Sequence, residues 1–249
     1  MKQHFVHDSV KMGTNVSIGH FSVIEEGVVL GDNVTVGNNV TIHAGTVIGS
    51  DVFVSDNCVL GRWPRPAKSS TVKVDASLPA LEIGDGTTIG AGTVLYRGSR
   101  FGKEVMIGDQ ASVREKCVIG DRVVIGRGVA VENQVEIGSF TKIQTNAYIT
   151  AYTTLEDHVF IAPTVTTTND NFMGRTRERF KYVCGPVVKR GARVGGGSIL
   201  LPGVTVAEES FIAAGALVNK DTETGKVYVG VPARVLREVP EREKLENQE

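Results

Sequence analysis

The stretch from Ile83 to Thr166 decides the fold, and its first twelve residues (83–94, IGDGTTIGAGTV) already show the pattern. An apolar residue occupies every sixth position, Gly often follows it, and a small or β-branched residue usually lies four positions further on. This period matches neither the 3.6-residue turn of a helix nor the two-residue alternation of a strand. A short strand and a tight turn explain it, if each hexad forms one wall of a triangular coil. The fourteen consecutive apolar positions are Ile83, Ile89, Leu95, Phe101, Ile107, Val113, Ile119, Ile125, Val131, Ile137, Ile143, Ile149, Leu155 and Ile161.

One coil of this kind cannot fold alone. Three hexads form a coil of eighteen residues, and successive coils stack at about 4.8 Å. Three inward side chains contribute roughly 1.5–3 kcal/mol each, against about 1–2 kcal/mol of backbone entropy for every residue of the coil. Stability must therefore come from stacking, as in other solenoids.

The same six-residue frame covers most of the chain, with two interruptions. It starts at Met12 and runs to Leu60, and it resumes at Val188 and ends at Val218. The interruptions, at about residues 62–82 and 167–187, predict two loops that leave the solenoid, and loops of this length are usually functional or disordered. We predict an all-β fold of about ten coils in residues 1–234 and a helical tail in residues 235–249, interrupted at Pro240.

The composition of the chain argues against several classes of protein. The chain has 249 residues and a net charge of −1, which argues against a dedicated nucleic-acid binder. No apolar run suggests a membrane span or a signal peptide, so we expect a cytoplasmic protein with no membrane partner. Cys58 and Cys117 occupy the small inward position and are expected to be buried thiols, whereas Cys184 lies in the second loop.

Two groups of motifs carry a resemblance to a known family. The carboxy-terminal third contains VKRGARVGGG (188–197), LPGV (201–204), AAGALV (213–218) and VPAR (231–234). Their order resembles the coenzyme A-dependent hexapeptide-repeat acyltransferases, whose coils form a left-handed parallel β-helix. Upstream, IQTN (143–146), LEDHVF (155–160) and TND (168–170) look like the nucleotide-linked amino-sugar N-acyltransferases.

The resemblance implies an acyl-CoA-dependent N-acyltransferase that transfers acetyl or another short acyl group to a nucleotide-linked amino sugar. It also implies a homotrimer with sites between subunits. Acyl-CoA would be a co-substrate, and no metal is expected.

The donor site needs small residues and cations. Small residues let the pantetheine arm approach the backbone, and Lys or Arg binds phosphate. For each of the cations, a solvated surface position is the alternative. The candidates are Gly197, Ala214 and Gly215 for the arm and Lys189, Arg190, Lys220 and Arg234 for the phosphates.

The acceptor site follows from stacking, because residues eighteen apart share one face. Asn146 should lie above Arg127 and Asp109, and at the base of the second loop. On another corner, Asn133 should lie above Glu115 and Arg97, with Glu132 adjacent. These polar residues could equally be solvated or make turn hydrogen bonds.

The two loops supply further candidates for the acceptor site. Asn169 and Asp170 are candidates to hold the sugar or its nucleotide, and Trp63 or Phe172 is a candidate to stack on the base. Trp63 could instead attach its own loop to the solenoid.

The chemistry requires an oxyanion donor and a group that orients or deprotonates the amine. Asp109, Glu132 and Asn146 are the main candidates, and His158 is a further candidate for the general base. A mechanism without a protein base also remains open.

Three other functions remain open. The acceptor could be a sugar hydroxyl or an amino-acid amine. A carbonic-anhydrase-like metalloenzyme would need three His to meet across a subunit interface, and only His158 lies in the central repeats. A structural solenoid is the non-enzyme alternative.

Overall fold

The computed structural model describes residues 3–70 and 74–248, and this part of the chain winds into three parallel sheets that enclose one core. Sheet A consists of Phe5–Val6, Val23–Ile24, Thr41–Ile42, Val59–Arg62, Val94–Tyr96, Ser112–Val113, Ala130–Val131, Tyr148–Ile149, Thr166–Thr167, Ile199–Leu200 and Leu217–Val218. Sheet B consists of Lys11–Met12, Val29–Leu30, Val47–Ile48, Glu82–Ile83, Arg100–Phe101, Val118–Ile119, Glu136–Ile137, Thr154–Leu155, Val187–Val188 and Thr205–Val206. Sheet C consists of Ser17–Ile18, Thr35–Val36, Phe53–Val54, Thr88–Ile89, Met106–Ile107, Val124–Ile125, Lys142–Ile143, Phe160–Ile161, Arg193–Val194, Phe211–Ile212, Lys226–Val229 and Arg234–Glu238.

The six-residue frame is confirmed as the core of the solenoid. All of the predicted inward residues are buried except Met12, which is 51% exposed, and Ile18, which is partly buried. Both belong to the first coil, and no coil covers them from below. Cys58 and Cys117 are buried thiols as predicted, and burial raises the pKa of Cys117 to about 12.

Turns between the sheets need two special positions in each hexad. The residue three positions after the inward one commonly adopts a positive φ, as Asn146 (59°) and His158 (59°) do. The Gly directly after the inward residue has another role. A Cβ on Gly108, for example, would lie 2.5 Å from the backbone nitrogen of Arg127 in the next coil. Gly at this position therefore permits close stacking of coils, whereas the turn itself is made two residues later.

The predicted number of coils is slightly too small. Across residues 3–70 and 74–248 the three sheets contain eleven, ten and twelve strands rather than about ten each. Val6 extends the frame at the start. Thr167 continues the frame past Ile161. Its side chain is polar but is fully buried.

Thr167 also changes where the second loop begins. This loop (loop 2, residues 168–186) leaves after the strand Thr166–Thr167 of sheet A. Asn146 lies one coil lower, in the turn between sheets C and A that precedes Tyr148–Ile149. The prediction that Asn146 lies at the base of loop 2 is therefore wrong, because one further hexad carries the chain along a whole wall before it departs.

The carboxy-terminal segment differs from the predicted helical tail. Arg234–Glu238 is a strand that pairs antiparallel with Lys226–Val229. Up to residue 248, where the described part of the chain ends, two 3-10 helices follow, Glu241–Glu243 and Leu245–Asn247. Pairing with the open edge of sheet C satisfies backbone groups that a helix would have left exposed at the end of the solenoid. No helix in the described part of the chain has the length and apolar character to cross a membrane.

Candidate functional site on one edge of the solenoid

Both loops leave the solenoid on the same edge, where sheet A turns into sheet B; we call this edge AB. Loop 1 (residues 63–81, of which 71–73 lie outside the described residues) follows the strand Val59–Arg62. Loop 2 follows Thr166–Thr167 and contains the 3-10 helix Glu178–Lys181. The turns between the two loops hold Arg97, Glu115 and Asn133, with Glu132 adjacent, and strand register confirms that these turns stack.

Loop 1 is attached to this edge through Arg97. The Arg97 guanidinium lies 4.3 Å from the centre of the Trp63 ring. Its Nε donates to the carbonyl of Leu78 (3.2 Å) and its Nη1 to that of Ala44 (3.2 Å). Desolvation lowers the pKa of Arg97. These contacts favour the alternative interpretation of Trp63, in which the aromatic ring fastens its own loop, and they give Arg97 the same structural role.

Asp170 organises loop 2 from within. One carboxylate oxygen accepts from the N–H of Phe172 (2.9 Å), and the other accepts from the N–H of Gly174 (2.9 Å) and from Nε of Arg179 (2.7 Å). The backbone bond from Gly174 is the main cause that lowers the pKa of Asp170. Phe172 stacks on Tyr182 at 5.9 Å. The Asp170 carboxylate therefore fixes the loop's shape, which leaves Asn169 as the loop's predicted ligand-binding residue that faces the cleft.

A cleft of about 520 Å³ lies between loop 2 and the turns beneath it. Its floor carries Glu132 and Asn133, and Asn169 enters from the loop. Aromatic side chains and Arg179 complete the walls. Burial raises the pKa of Tyr148, and the neighbouring Glu132 carboxylate raises it further. The full lining is Glu132, Asn133, Tyr148, Thr150, Ala151, Tyr152, Asn169, Arg179, Phe180 and Val183.

Glu115 lies beneath the cleft and is bound to Arg114. The carboxylate is only 6% exposed. It accepts from Nε (2.9 Å) and Nη2 (3.0 Å) of Arg114, and Nη1 of Arg114 lies 3.7 Å from Glu132. Burial alone would lower the pKa of Arg114, but its hydrogen bonds to Glu115 and the nearby carboxylates raise that pKa above its usual value. Glu115 thus supports the site from below instead of facing a ligand.

Sequence reasoning missed four residues at this edge: Arg114, Tyr148, Tyr152 and Arg179. Tyr148 lies on a strand and Tyr152 lies in a turn, so no single periodicity connects them. Arg114 could have been found, because it lies eighteen residues before Glu132 and beside Glu115. Arg179 joins the cleft only because loop 2 folds back over the turns.

The predicted residues Asp109 and Asn146 lie on a different edge, where sheet C turns into sheet A (edge CA). The predicted stacking is confirmed, since the N–H of Asn146 donates to Arg127 and that of Gly128 to Asp109 (2.9 Å each). The Asp109 carboxylate accepts from the N–H of Ala91 at 2.8 Å, which is a bond between turns. Neither residue lines the cleft on edge AB.

Along edge CA, the hydrogen bonding of the turn N–H groups changes from Asp109 upward. In the lower coils, the turn N–H groups of His20, Asn38 and Ala91 donate to side chains of the next coil, for example His20 to Asn38 at 2.8 Å, although that of Asp56 does not. Higher up, within residues 3–70 and 74–248, a column of turn N–H groups has no acceptor, and Gly197, Ala214 and Gly215 lie beside it with exposed backbone. The column consists of Asp109, Arg127, Thr145, Gly196 and Ala214.

The four cations predicted to bind the phosphates of coenzyme A lie in two separate parts of the solenoid. Lys220 and Arg234 line one cleft of about 310 Å³ at the carboxy-terminal end. Lys189 and Arg190 lie on the third edge, where sheet B turns into sheet C (edge BC). There Lys189 pairs with Glu156 at 2.7 Å.

Edge BC also carries His158, which stacks on Phe140 with a ring separation of 4.8 Å. The structure therefore does not bring His158, Lys189 and Arg190 to the cleft on edge AB.

Comparison with known proteins agrees with this architecture. The bacterial transferase hexapeptide (six repeats) family model matches residues 9–44 and 27–62. The amino-terminal coils therefore match the hexapeptide repeats that this family model describes. The UDP-N-acetylglucosamine acyltransferase from Campylobacter jejuni has a similar fold, with a TM-score of 0.52 and 16% identity over 95% of this chain and 73% of that one.

Sequence relatives of this hexapeptide-repeat protein match it over shorter segments. It is 36% identical over 74 residues (30% of this chain) to the bifunctional protein GlmU of Rubrobacter xylanophilus and 43% identical over 51 residues (20%) to the galactoside O-acetyltransferase of Escherichia coli. The matched segments span 14% and 25% of these relatives, so the chain covers a quarter of their length or less.

Proposed function

We propose that this protein is an acyl-CoA-dependent N-acyltransferase that acts on the amino group of a nucleotide-linked amino sugar. The observation that carries the proposal is the cleft on edge AB, in which the Glu132 carboxylate and the Asn133 amide lie among aromatic side chains. A carboxylate attracts an ammonium group and takes its proton. Aromatic rings and amides together suit a sugar, which has apolar C–H faces and polar hydroxyls.

The choice of base separates an amine acceptor from a hydroxyl acceptor. A sugar hydroxyl is far less acidic than an ammonium group and needs a stronger base, commonly His. No His lines the described part of this cleft. O-acylation, the activity in the name of the Escherichia coli relative, is therefore the second candidate. The product distinguishes the two, because an amide survives mild base that hydrolyses an ester.

Edge CA fits the acyl donor. The pantetheine arm of coenzyme A carries two amides that accept hydrogen bonds, and the N–H groups of Arg127, Thr145 and Gly196, at equivalent positions of stacked turns, have no acceptor in the described part of the chain. Gly197 and Gly215 leave the space beside them open, since a Cβ on Gly215 would meet no atom within 4 Å. Lys220 and Arg234 would meet the phosphates at the end of the solenoid.

A trimer would unite the two edges. In the described strands of sheet A, the outward residue directly before each inward one is never charged, whereas four such residues of sheet B are charged. Arg62, at the end of the strand Val59–Arg62, is the charged residue within the described strands of sheet A. Three copies with sheet A facing a threefold axis would place edge AB of one subunit beside edge CA of the next. Glu132 and Asn133 would then lie at nearly the same height as Asn146 of the neighbouring copy. The outward residues of sheet A are Phe5, Val23, Thr41, Val59, Val94, Ser112, Ala130, Tyr148, Thr166, Ile199 and Leu217.

The proposed reaction follows from these positions. The bound ammonium group first loses one proton to solvent, and the neutral amine nitrogen attacks the thioester carbon while Glu132 takes a second proton from that nitrogen. A C–N bond forms, the C–S bond breaks, and the coenzyme A thiolate leaves and is protonated. Backbone N–H groups of edge CA stabilise the negative charge on the carbonyl oxygen during the attack.

The test is release of free thiol from acetyl-CoA and longer acyl-CoA donors, with a panel of UDP- and dTDP-linked amino sugars and their hydroxyl analogues. We expect thiol release only with amino sugars and a product whose mass increases by one acyl group. Reaction with the hydroxyl analogues alone would favour O-acylation. No thiol release with any acceptor would refute the proposal and favour a structural solenoid.

A further inference from the structure

Arg114 lies one coil below Glu132 on edge AB and is fixed on three sides. Two of its nitrogens bind the buried carboxylate of Glu115, at 2.9 and 3.0 Å. Its guanidinium lies 5.1 Å from the centre of the Tyr96 ring. The remaining nitrogen, Nη1, points to Glu132 at 3.7 Å. A bidentate bond and a stacked ring hold the guanidinium in one place, so it presents a fixed positive charge to Glu132.

The net charge of the groups around Glu132 favours binding of one further cation in the cleft. Arg114, Glu115 and Glu132 together carry one net negative charge. The other groups that face Glu132 across the cleft are the phenols of Tyr148 and Tyr152 and the Arg179 guanidinium, which Asp170 neutralises at 2.7 Å. One further cation, such as a substrate ammonium group, would make the cluster neutral. Without Arg114, two carboxylates would remain side by side, and such a pair takes up a proton readily.

We infer that Arg114 is a positioning residue for acyl transfer, which keeps Glu132 ionised and directed into the cleft so that it can receive the substrate ammonium group. The inference rests on the proposed function. In this role Glu115 anchors Arg114, and Tyr96 supports its guanidinium from the coil below. Neither Arg114 nor Tyr96 needs to touch the substrate.

The experiment measures kcat/KM for thiol release as a function of pH in the intact protein. In Arg114→Met, we expect the acidic limb of the profile to move upward by about one pH unit, since an opposite charge within 4–6 Å shifts a carboxylate by about 1–3 units and Glu132 is partly exposed. Arg114→Lys keeps the charge and should restore the limb. Arg122→Met is a matched control. Arg122 also pairs with a carboxylate (Glu104, 2.7 Å) and lies 5.7 Å from an aromatic ring (Phe140), but on edge BC.

The outcomes are distinguishable. A wild-type protein without thiol release refutes the proposed function. An active wild type with the same acidic limb in Arg114→Met overturns the inference, as does an equal shift in Arg122→Met or a failure of Arg114→Lys to restore the limb. If Arg114→Met does not fold, Arg114→Gln replaces it. That variant keeps a donor for Glu115 but removes the positive charge, so the limb should move upward as in Arg114→Met, and an unmoved limb would overturn the inference.

Discussion

Thr167 is the polar residue in the frame of inward side chains, and its replacement by Val gives a sharp prediction. In other turns, the N–H after an inward residue donates to the backbone carbonyl of the inward residue one coil above, as Glu132 does to Ile149 (2.9 Å). The N–H of Thr150 instead donates to the Thr167 hydroxyl at 2.7 Å, and that hydroxyl donates to the Tyr148 carbonyl at 3.2 Å. The hydroxyl therefore replaces a backbone acceptor where the chain bends into loop 2.

The magnitude follows from burial. Thr167 is fully buried and Thr150 is only 4% exposed, so Val at position 167 would leave the Thr150 N–H without a partner or water. An unsatisfied buried donor costs about 1–3 kcal/mol, and Val has nearly the same volume, so no cavity term is added. We expect Thr167→Val to lower the free energy of unfolding by about 1–3 kcal/mol, or the melting temperature by about 2–4 °C for each kcal/mol.

Thr87→Val is the matched control. Thr87 is also fully buried, but its hydroxyl has no hydrogen-bond partner. It stacks between Val52 and Val105 at the same position of the adjacent coils. Val at position 87 should be neutral or stabilising. Urea titrations and hydrogen exchange at the Thr150 amide measure both effects. Equal stability of Thr167→Val and the wild type, or a loss in Thr87→Val as large as in Thr167→Val, would refute this reasoning.

Four further predictions concern the site and its surroundings. Glu132→Gln should lower kcat by about 10²–10⁴-fold while the fold is retained, because it removes the proton acceptor. Hydrogen bonds from Ser77, with help from Lys116, lower the pKa of Asp75 to about 2. Since its unfolded value is higher, the Asp75 bonds to Ser77 and Lys116 should be complete above pH 4 and be lost as the pH falls toward 2, which should loosen loop 1 and change Trp63 fluorescence in a way that Asp75→Asn lacks. Lys220→Met should raise KM for acetyl-CoA about tenfold without affecting dephospho-coenzyme A derivatives. Ser112→Lys, which places a charge on the outer face of sheet A, should dissociate the proposed trimer, as measured by light scattering.

Controls for these predictions come from other faces of the same solenoid. Arg100→Met removes a cation from sheet B, where Arg100 pairs with Glu82 at 3.1 Å, and should leave KM for acetyl-CoA unchanged. Thr154→Lys places a charge on sheet B and should leave the trimer intact. A dissociated Thr154→Lys variant together with an intact Ser112→Lys trimer would assign the interface to sheet B. A fluorescence step between pH 4 and 2 that persists in Asp75→Asn would show that another carboxylate attaches loop 1.

Fold and site differed in how far the sequence could predict them. The inward residues, the two loops and the stacking of Asn133 on Glu115 were all predictable, because each follows from counting by six or by eighteen. The departure point of loop 2 was not, because Thr167 is polar and hid the last hexad before the loop. The carboxy-terminal strand was also missed, since a charged segment with Pro240 favours a helix locally, whereas an unpaired sheet edge favours a strand.

The hexads alone were enough to predict the solenoid, because every inward side chain is specified by its own hexad and needs no information from distant residues. Which candidate residues lie together could be seen only in three dimensions. Glu132, Asn133 and Asn169 share a cleft, whereas Asp109, Asn146 and His158 lie on other edges. The physical reason is that an edge depends on the summed register of all preceding hexads and on contacts such as those of Arg97 and Arg114, which local periodicity does not encode.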